Sequence, residues 1–353
     1  MLCADGQTVE RMGTVLRHLT VGLMDQAVTV RVLGSDPRLT ELSAGPLPAI
    51  IHEPLTWPFA RQRFEAILEA LHSRAPTVIQ ACSPGVFALS AAIAEEFDAD
   101  LVLQIGAVDD CEAALRETRR RVEGFVVLSE ALATQLRRRL PDGAARVSLA
   151  PPGIPSAERP ACFSQEDGVP AILCTSPWTV EGGVEILLRA FSILKGRKAD
   201  FLGFLWGSGP HESALRRVAR TLGLNHCVTF VDPLGDATDA MSGADIFVRP
   251  ADDAALHADS LQAMAAGLAV VSCPGSACDH FVHGETALVC SADANSIAAA
   301  IGDLLGDRDA ARRLAASAQD YVRKHHPMSA MGERAAELYR RLALAHATFP
   351  IRE

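Results

Sequence analysis

Short apolar runs alternate along almost the whole chain with longer stretches in which apolar positions recur every third or fourth residue. The short runs have the length and the Val, Ile and Leu content of strands buried on both faces. The longer stretches have the period of amphipathic helices. In the first half the runs at 28–33, 77–81, 101–105 and 125–128 are predicted strands. Residues 8–23 form a predicted helix in which Val9, Met12, Leu16, Leu19 and Leu23 share one face. The second half places strands at 171–174, 201–206, 228–231, 244–248, 269–272 and 287–290. Its helices carry two clear stripes: Val184, Leu187, Leu188, Phe191 and Leu194, then Leu215, Val218, Ala219 and Leu222. A helix over 331–345 follows. Strands alternating with helices predict an α/β protein with parallel sheets. Such a domain normally opens on a buried strand, yet the first helical pattern starts by residue 8. Residues 1–4 are therefore expected to be a stub of that strand, or the strand begins upstream.

At 353 residues the chain exceeds one ordinary core, and 49% apolar content lets two domains bury an interior each. The pattern breaks at Ala150-Pro151-Pro152-Gly153-Ile154-Pro155, and Pro and Gly stay frequent until Pro170. The expected division is 1–155, 156–330 and a terminal helix and tail at 331–353. No run approaches the roughly 20 apolar residues of a membrane helix. The opening Met-Leu-Cys-Ala-Asp-Gly has no basic region followed by an apolar stretch, so no secretory signal is expected and the expected location is cytoplasmic. Nine cysteines without paired spacing read as free thiols in a reducing compartment. Cys273 and Cys278 are too isolated for a zinc site, and no metal is expected. A formal charge of −10 argues against general binding to nucleic acid. Arg119-Arg120-Arg121 and Arg137-Arg138-Arg139 read either as solvated helix faces or as a patch that rests weakly on anionic lipid or a protein partner.

A series of segments in the second half carries more. In order they are Val184-Glu185-Ile186-Leu187-Leu188-Arg189-Ala190-Phe191, Trp206-Gly207-Ser208-Gly209-Pro210, Val228-Thr229-Phe230 and Ala244-Asp245-Ile246-Phe247-Val248-Arg249-Pro250. Then come Leu261-Gln262-Ala263-Met264-Ala265-Ala266-Gly267-Leu268-Ala269-Val270-Val271, Asp279, and His283-Gly284-Glu285-Thr286-Ala287-Leu288-Val289. Together with Phe125-Val126-Val127-Leu128-Ser129-Glu130 and Pro151-Pro152-Gly153-Ile154, their order and spacing over roughly 125–345 resemble the family 4 (group 1) glycosyltransferases of the GT-B fold. Gly6 and Glu10-Arg11 stand near that family's N-terminal glycine loop. The resemblance implies two Rossmann-like, doubly wound domains facing a cleft, the first on the acceptor side and the second for the donor. It also implies a last helix crossing back to the first domain. The implied substrates are a nucleotide-diphosphate sugar and a glycan, lipid or small-molecule acceptor. The implied reaction is transfer with retention, without metal or cofactor.

The same resemblance assigns donor binding to Gly207, Gly209, Phe230, Val231, Arg249, Pro250, Leu261 and Gln262. It also exposes replacements. The family's Arg and Lys after the first strand of the donor domain fall on Pro177 and Gly182, its two glutamates on Ala254 and Gln262, and a histidine of the first domain on Gly106. Losing two charge-assisted hydrogen bonds to a diphosphate costs roughly 3–6 kcal/mol, about a hundred- to ten-thousandfold in affinity. Asp252, Asp253 and Asp259 add negative charge. Asp259-Ser260-Leu261-Gln262 reads as a helix capping box, Asp259 capping and Gln262 reaching back. Against this, Gln262 can hydrogen-bond ribose. Arg249 is the candidate replacement cation and catalytic group, with His211 and His257 behind it. Each feature also has a structural explanation: a strand-to-helix turn for Gly207 and Gly209, capping for Gln262, surface or domain packing for Arg249, a helix-dipole contact for Asp279, and packing for Trp178 and Trp206. Two functions follow: an active transferase with a rewired donor site, or a non-catalytic member that serves as partner or regulator in glycan assembly. A sugar-nucleotide epimerase is disfavoured, because the matched segments are those of the transferases.

Overall fold

The computed structural model describes residues 1–42, 47–117, 121–140, 146–165, 168–232, 237–251, 255–275 and 277–348. The chain divides into two compact units, Met1–Gly153 with His326–Glu353, and Ile154–His325.

Unit 1 contains β1 (Leu2–Cys3), α1 (Gly6–Asp25), β2 (Val32–Gly34), α2 (Leu39–Leu42), β3 (Ile50–Ile51), α3 (Ala60–His72), β4 (Val78–Ala81) and α4 (Pro84–Phe97). It continues with β5 (Asp100–Ile105), α5 (Val108–Glu117), β6 (Gly124–Val127), α6 (Glu130–Arg139) and β7 (Val147–Leu149). All pairings are parallel, in the order β3-β2-β1-β4-β5-β6-β7. Residues 1–4 do hold the stub of a first strand. Its shortness accounts for a difference at 28–33: β1 offers Leu2 and Cys3 as partners for Val32 and Leu33, so the ladder starts only at Val32. Helix α1 begins two residues earlier than its apolar stripe suggests. The Asp5 carboxylate caps it, accepting from Thr8 N at 2.9 Å and from Thr8 Oγ1 at 2.7 Å. The two-residue β3 and the three-residue β7 lie at the sheet edges, too short for a periodic pattern to reveal.

Unit 2 contains β8 (Ala171–Cys174), α7 (Val184–Gly196), β9 (Leu202–Trp206), α8 (Glu212–Thr221), β10 (Val228–Val231), α9 (Thr238–Ser242) and β11 (Ile246–Arg249). Next come α10 (Ala258–Ala266), β12 (Ala269–Ser272), β13 (Leu288–Val289), α11 (Ala294–Gly306) and α12 (Arg308–His325). This sheet is also parallel, in the order β10-β9-β8-β11-β12-β13. The predicted stripes pack as read: Val184, Leu187, Leu188, Phe191 and Leu194 are buried in one core with Ile172, Leu205, Val248 and Ile301. The strand predicted at 244–248 starts at Ile246. Ala244 N still donates to Met241 O at 3.2 Å in the turn after α9. Asp245, whose backbone bonds to Ala171 and Ala269, also works through its side chain. Its carboxylate accepts from Phe163 N at 2.6 Å and from Ala171 N at 2.8 Å, tying the segment before β8 to the sheet.

The last helix, α13 (Met328–Thr348), belongs to unit 1 and packs on α1. Their backbones meet at two glycines: a Cβ on Gly332 would lie 2.5 Å from the Gly22 carbonyl carbon. Tyr339 donates to Gln80 Oε1 at 2.5 Å, and Gln80 Nε2 donates to Gln104 Oε1 at 2.8 Å, so α13 is also fastened to β4 and β5. No helix among the described residues is long and apolar enough to cross a membrane.

Candidate functional site

In a doubly wound sheet the chain winds outward in both directions from one pair of neighbouring strands. The helices that follow that pair leave a crevice at the strands' C-terminal ends. In unit 2 this pair is β8 and β11. The crevice is therefore bounded by the residues after Cys174, the residues after Arg249, and the start of α10.

Arg249, the last residue of β11, is only 4% exposed. Its backbone is fixed by the ladder to β12, where Cys273 N donates to Arg249 O at 3.0 Å. Its guanidinium faces Asp259, with Nη1 3.5 Å from Oδ1. Asp259 is held from two further sides: Thr175 Oγ1 donates to Oδ2, and Ser260 N donates to Oδ1 at 2.7 Å. The crevice thus holds a buried, charge-compensated pair rather than a free cation or a bare carboxylate. This corrects two expectations. Arg249 is occupied by a carboxylate, and the negative charge of Asp259 is offset by Arg249.

The capping box is also corrected. The N-cap of α10 is His257, and Asp259 is the second residue of the helix. Its carboxylate turns toward Arg249 and Thr175 instead of closing the helix end. Ser260 Oγ donates back to His257 O at 2.9 Å and meets buried His280 Nε2 at 3.3 Å. Leu261 is fully buried and Gln262 is 9% exposed, both within α10. Asp252, Asp253 and Ala254 lie outside the described residues.

The loop from Thr175 to Gly183 explains the other wall. Trp178 is completely buried, with its ring edge-on to Phe230 at 5.5 Å. Trp178 N donates to Ser208 O at 3.0 Å, and His211 N donates to Trp178 O at 3.0 Å. A Cβ on Gly207 would stand 2.9 Å from Ser176 O, and one on Gly209 would stand 2.5 Å from Trp178 O. The close approach of this loop therefore accounts for both glycines. Gly182 is tighter still: its Cβ would lie 2.0 Å from the Pro177 carbonyl oxygen. The position expected to carry a lysine has no room for any side chain. Phe230 carries the Arg216 guanidinium over its ring at 4.7 Å, and Arg216 is paired with Glu212 at 2.7 Å. Val231 O accepts from Gly207 N at 3.1 Å.

The named residues therefore form two groups. Arg249, Pro250, Leu261 and Gln262 surround the β11–α10 junction, and Gly207, Gly209, Phe230 and Val231 surround Trp178. The loop joins them, since Gly183 (φ +72°) abuts the Pro250 carbonyl. Thr175 and Asp259 are the functional candidates that motif reasoning missed as a unit with Arg249. The signal for Thr175 was its place one residue past a central strand.

In unit 1 the corresponding pair is β1 and β4. Gly106, expected in place of a histidine, donates its amide to Asp110 Oδ2 at 2.8 Å, as does Ala107. Burial pushes the Asp110 carboxyl above its ordinary range, and the two amides and Arg11 pull against that. Of the two arginine clusters, Arg119 and Arg120 lie outside the described residues. Arg121 pairs with Asp98 and Glu123, Arg137 with Glu130, and Arg139 with Glu112.

Residues 169–307 match the family model described as Glycosyl transferases group 1. The match lies wholly within unit 2, which is therefore similar to the group 1 glycosyltransferases. It is 33% identical over 167 residues to the glycosyltransferase YqgM of Bacillus subtilis, which covers 46% of each chain. It is 29% identical over 180 residues to a GDP-mannose-dependent phosphatidylinositol monomannoside mannosyltransferase of Mycolicibacterium smegmatis, covering 48% of this chain and 47% of that one. The chain thus matches about half the length of these curated relatives. Across whole chains the fold is shared with a glycosyltransferase of Rickettsia africae (TM-score 0.77, 16% identity, 97% of each chain). It is also shared with Anabaena HepE, solved with UDP-glucose (TM-score 0.77, 15% identity, 97% and 99% of the two chains). This is the GT-B fold of two Rossmann-like domains.

Proposed function

We propose that this protein transfers a sugar from a nucleotide-diphosphate donor seated on unit 2, with retention and without a metal. The observation that carries the reading is the gathering of Thr175, Arg249, Asp259 and Gln262 at the switch point of the second sheet. In this reading Asp259 holds Arg249 in the resting site, and the donor's diphosphate competes with it for the guanidinium. Arg249 then offsets the charge that grows as the nucleotide leaves. Gln262 reaches the ribose through its amide. Relatives named for GDP-mannose and a structural neighbour holding UDP-glucose make both bases the first donors to test.

Calorimetric titration with UDP, GDP, ADP and their common sugar conjugates, on the wild type and Arg249→Ala, tests this. Saturable binding of one nucleotide that is lost in the variant supports the transferase. A second reading rests on the absence of room at Gly182 and on the neutralised Arg249: a non-catalytic partner in glycan assembly. It is favoured if no nucleotide binds the folded protein even at millimolar concentration.

A further inference from the structure

We propose that Cys273 and Cys290 form a dithiol on unit 2 that closes to an intramolecular disulfide by exchange with a small-molecule disulfide. Strands β12 and β13 run parallel with Val271 beside Leu288 and Ser272 beside Val289. The next step of that register sets Cys273 beside Cys290, and Cys290 N donates to Ser272 O at 3.0 Å, so the ladder continues past the strand ends. Neighbouring strands lie about 4.8 Å apart, inside the roughly 4.4–6.8 Å of Cα separation that a disulfide spans. Residues in register on parallel strands point to the same face. Cys273 is buried in the unit 2 core, and Cys290 packs against the same core while staying partly exposed.

The two thiols differ in a useful way. A hydrogen bond with the Cys273 side chain holds the Cys290 thiol below its ordinary range, against burial and the charge of Asp293. By contrast, burial pushes up the thiols of Cys3, Cys82, Cys111, Cys162, Cys174 and Cys227, those of Cys3 and Cys111 to about 11 and that of Cys162 to about 12. Reactivity toward disulfides follows thiolate character and access. Cys290 has both and is the entering sulfur; Cys273, at 2% exposure, is the resolving one.

In the first step the Cys290 thiolate attacks one sulfur of the small disulfide, forming a mixed disulfide and expelling one small thiolate. The Cys273 thiolate then attacks the Cys290 sulfur, the Cys273–Cys290 bond forms, and the second small thiolate leaves. Two electrons pass from the cysteine pair to the small disulfide, and the two cysteine protons go to the released thiolates.

The test is incubation of the full folded chain with oxidised glutathione, alkylation of remaining thiols and non-reducing mass spectrometry. A Cys227→Ser, Cys278→Ser background and a glutamate-specific protease, which cuts after Glu285, leave each of the two sulfurs alone on its own fragment. The expected product is a fragment pair linked through Cys273 and Cys290. Cys273→Ser should stop at a glutathione adduct on Cys290. Cys290→Ser should leave Cys273 reduced, and buried Cys3 and Cys82 should stay reduced throughout. Should Cys273→Ser not fold by circular dichroism, Cys273→Ala gives the same readout. The proposal is overturned if Cys290 stays unmodified in the folded wild type while the denatured chain oxidises. It is equally overturned if Cys273 oxidises as fast in Cys290→Ser.

Discussion

Replacing Asp259 by Asn separates the two roles that the Arg249–Asp259 pair combines. The amide keeps the carboxylate's shape and can still accept from Thr175 or Ser260, but it no longer compensates a guanidinium that is 4% exposed. Removing one partner of a fully buried pair costs about 3–5 kcal/mol. Asp259 keeps 20% of its side-chain exposure, so about 2–3 kcal/mol is expected here. For a unit the size of 154–325, each kcal/mol moves the midpoint by about 2–4 °C, which gives a fall in Tm of roughly 4–12 °C. Binding should move the other way. Arg249, released from its carboxylate, gains one charge-assisted hydrogen bond to a diphosphate, about 1.5–3 kcal/mol, or roughly ten- to a hundredfold in Kd. Differential scanning fluorimetry and calorimetric titration on the same preparations read both quantities, and Asp259→Asn combined with Arg249→Ala should abolish the gain. A variant that melts early yet binds no nucleotide more tightly would refute competition between Asp259 and the donor. One that melts as the wild type does would refute the buried pair.

Gly182→Lys puts back a cation but forces a Cβ against the Pro177 carbonyl, so it should lower Tm by roughly 2–12 °C, from about 1–3 kcal/mol of overpacking, without improving nucleotide affinity by titration. Trp178→Ala should cost about 3–5 kcal/mol in denaturant unfolding, because the side chain is wholly buried; a change confined to nucleotide Kd would show that the ring lines a pocket instead. Asp110 binds its proton more tightly in the folded chain than in the unfolded one. Unit 1 should therefore lose stability as pH rises from the ordinary Asp value through the raised one, and Asp110→Asn should flatten that slope in melts run from about pH 4 to pH 7.

Much of this fold was legible because burial on both faces of a parallel sheet leaves continuous apolar runs. β8, β10 and β12 fall where those runs predict, to the residue. What escaped was decided by partners far off in sequence. At the Ala244 end of the β11 pattern the Asp245 carboxylate meets Phe163 and Ala171, and nothing local announces those contacts. The site divides in the same way. The family resemblance drew attention to Arg249, which ends β11, and to Gln262, which lies within α10. The local sequence offered a capping box at Asp259, a rule about neighbours three residues apart. The carboxylate answers instead to Arg249, ten residues back, and to Thr175, just past another strand. A competing long-range charge outweighed the local hydrogen bond.

The assignment of α13 to unit 1 bears on how the protein is made. Unit 2 is one uninterrupted stretch, whereas unit 1 closes only when His326–Glu353 joins Met1–Gly153. During synthesis the nascent chain can complete the later unit while the earlier one still lacks the helix that covers α1 and satisfies Gln80. Of these two units, the one whose synthesis starts earlier is then completed later, and until α13 arrives its uncovered α1 face is the part that chaperones would find.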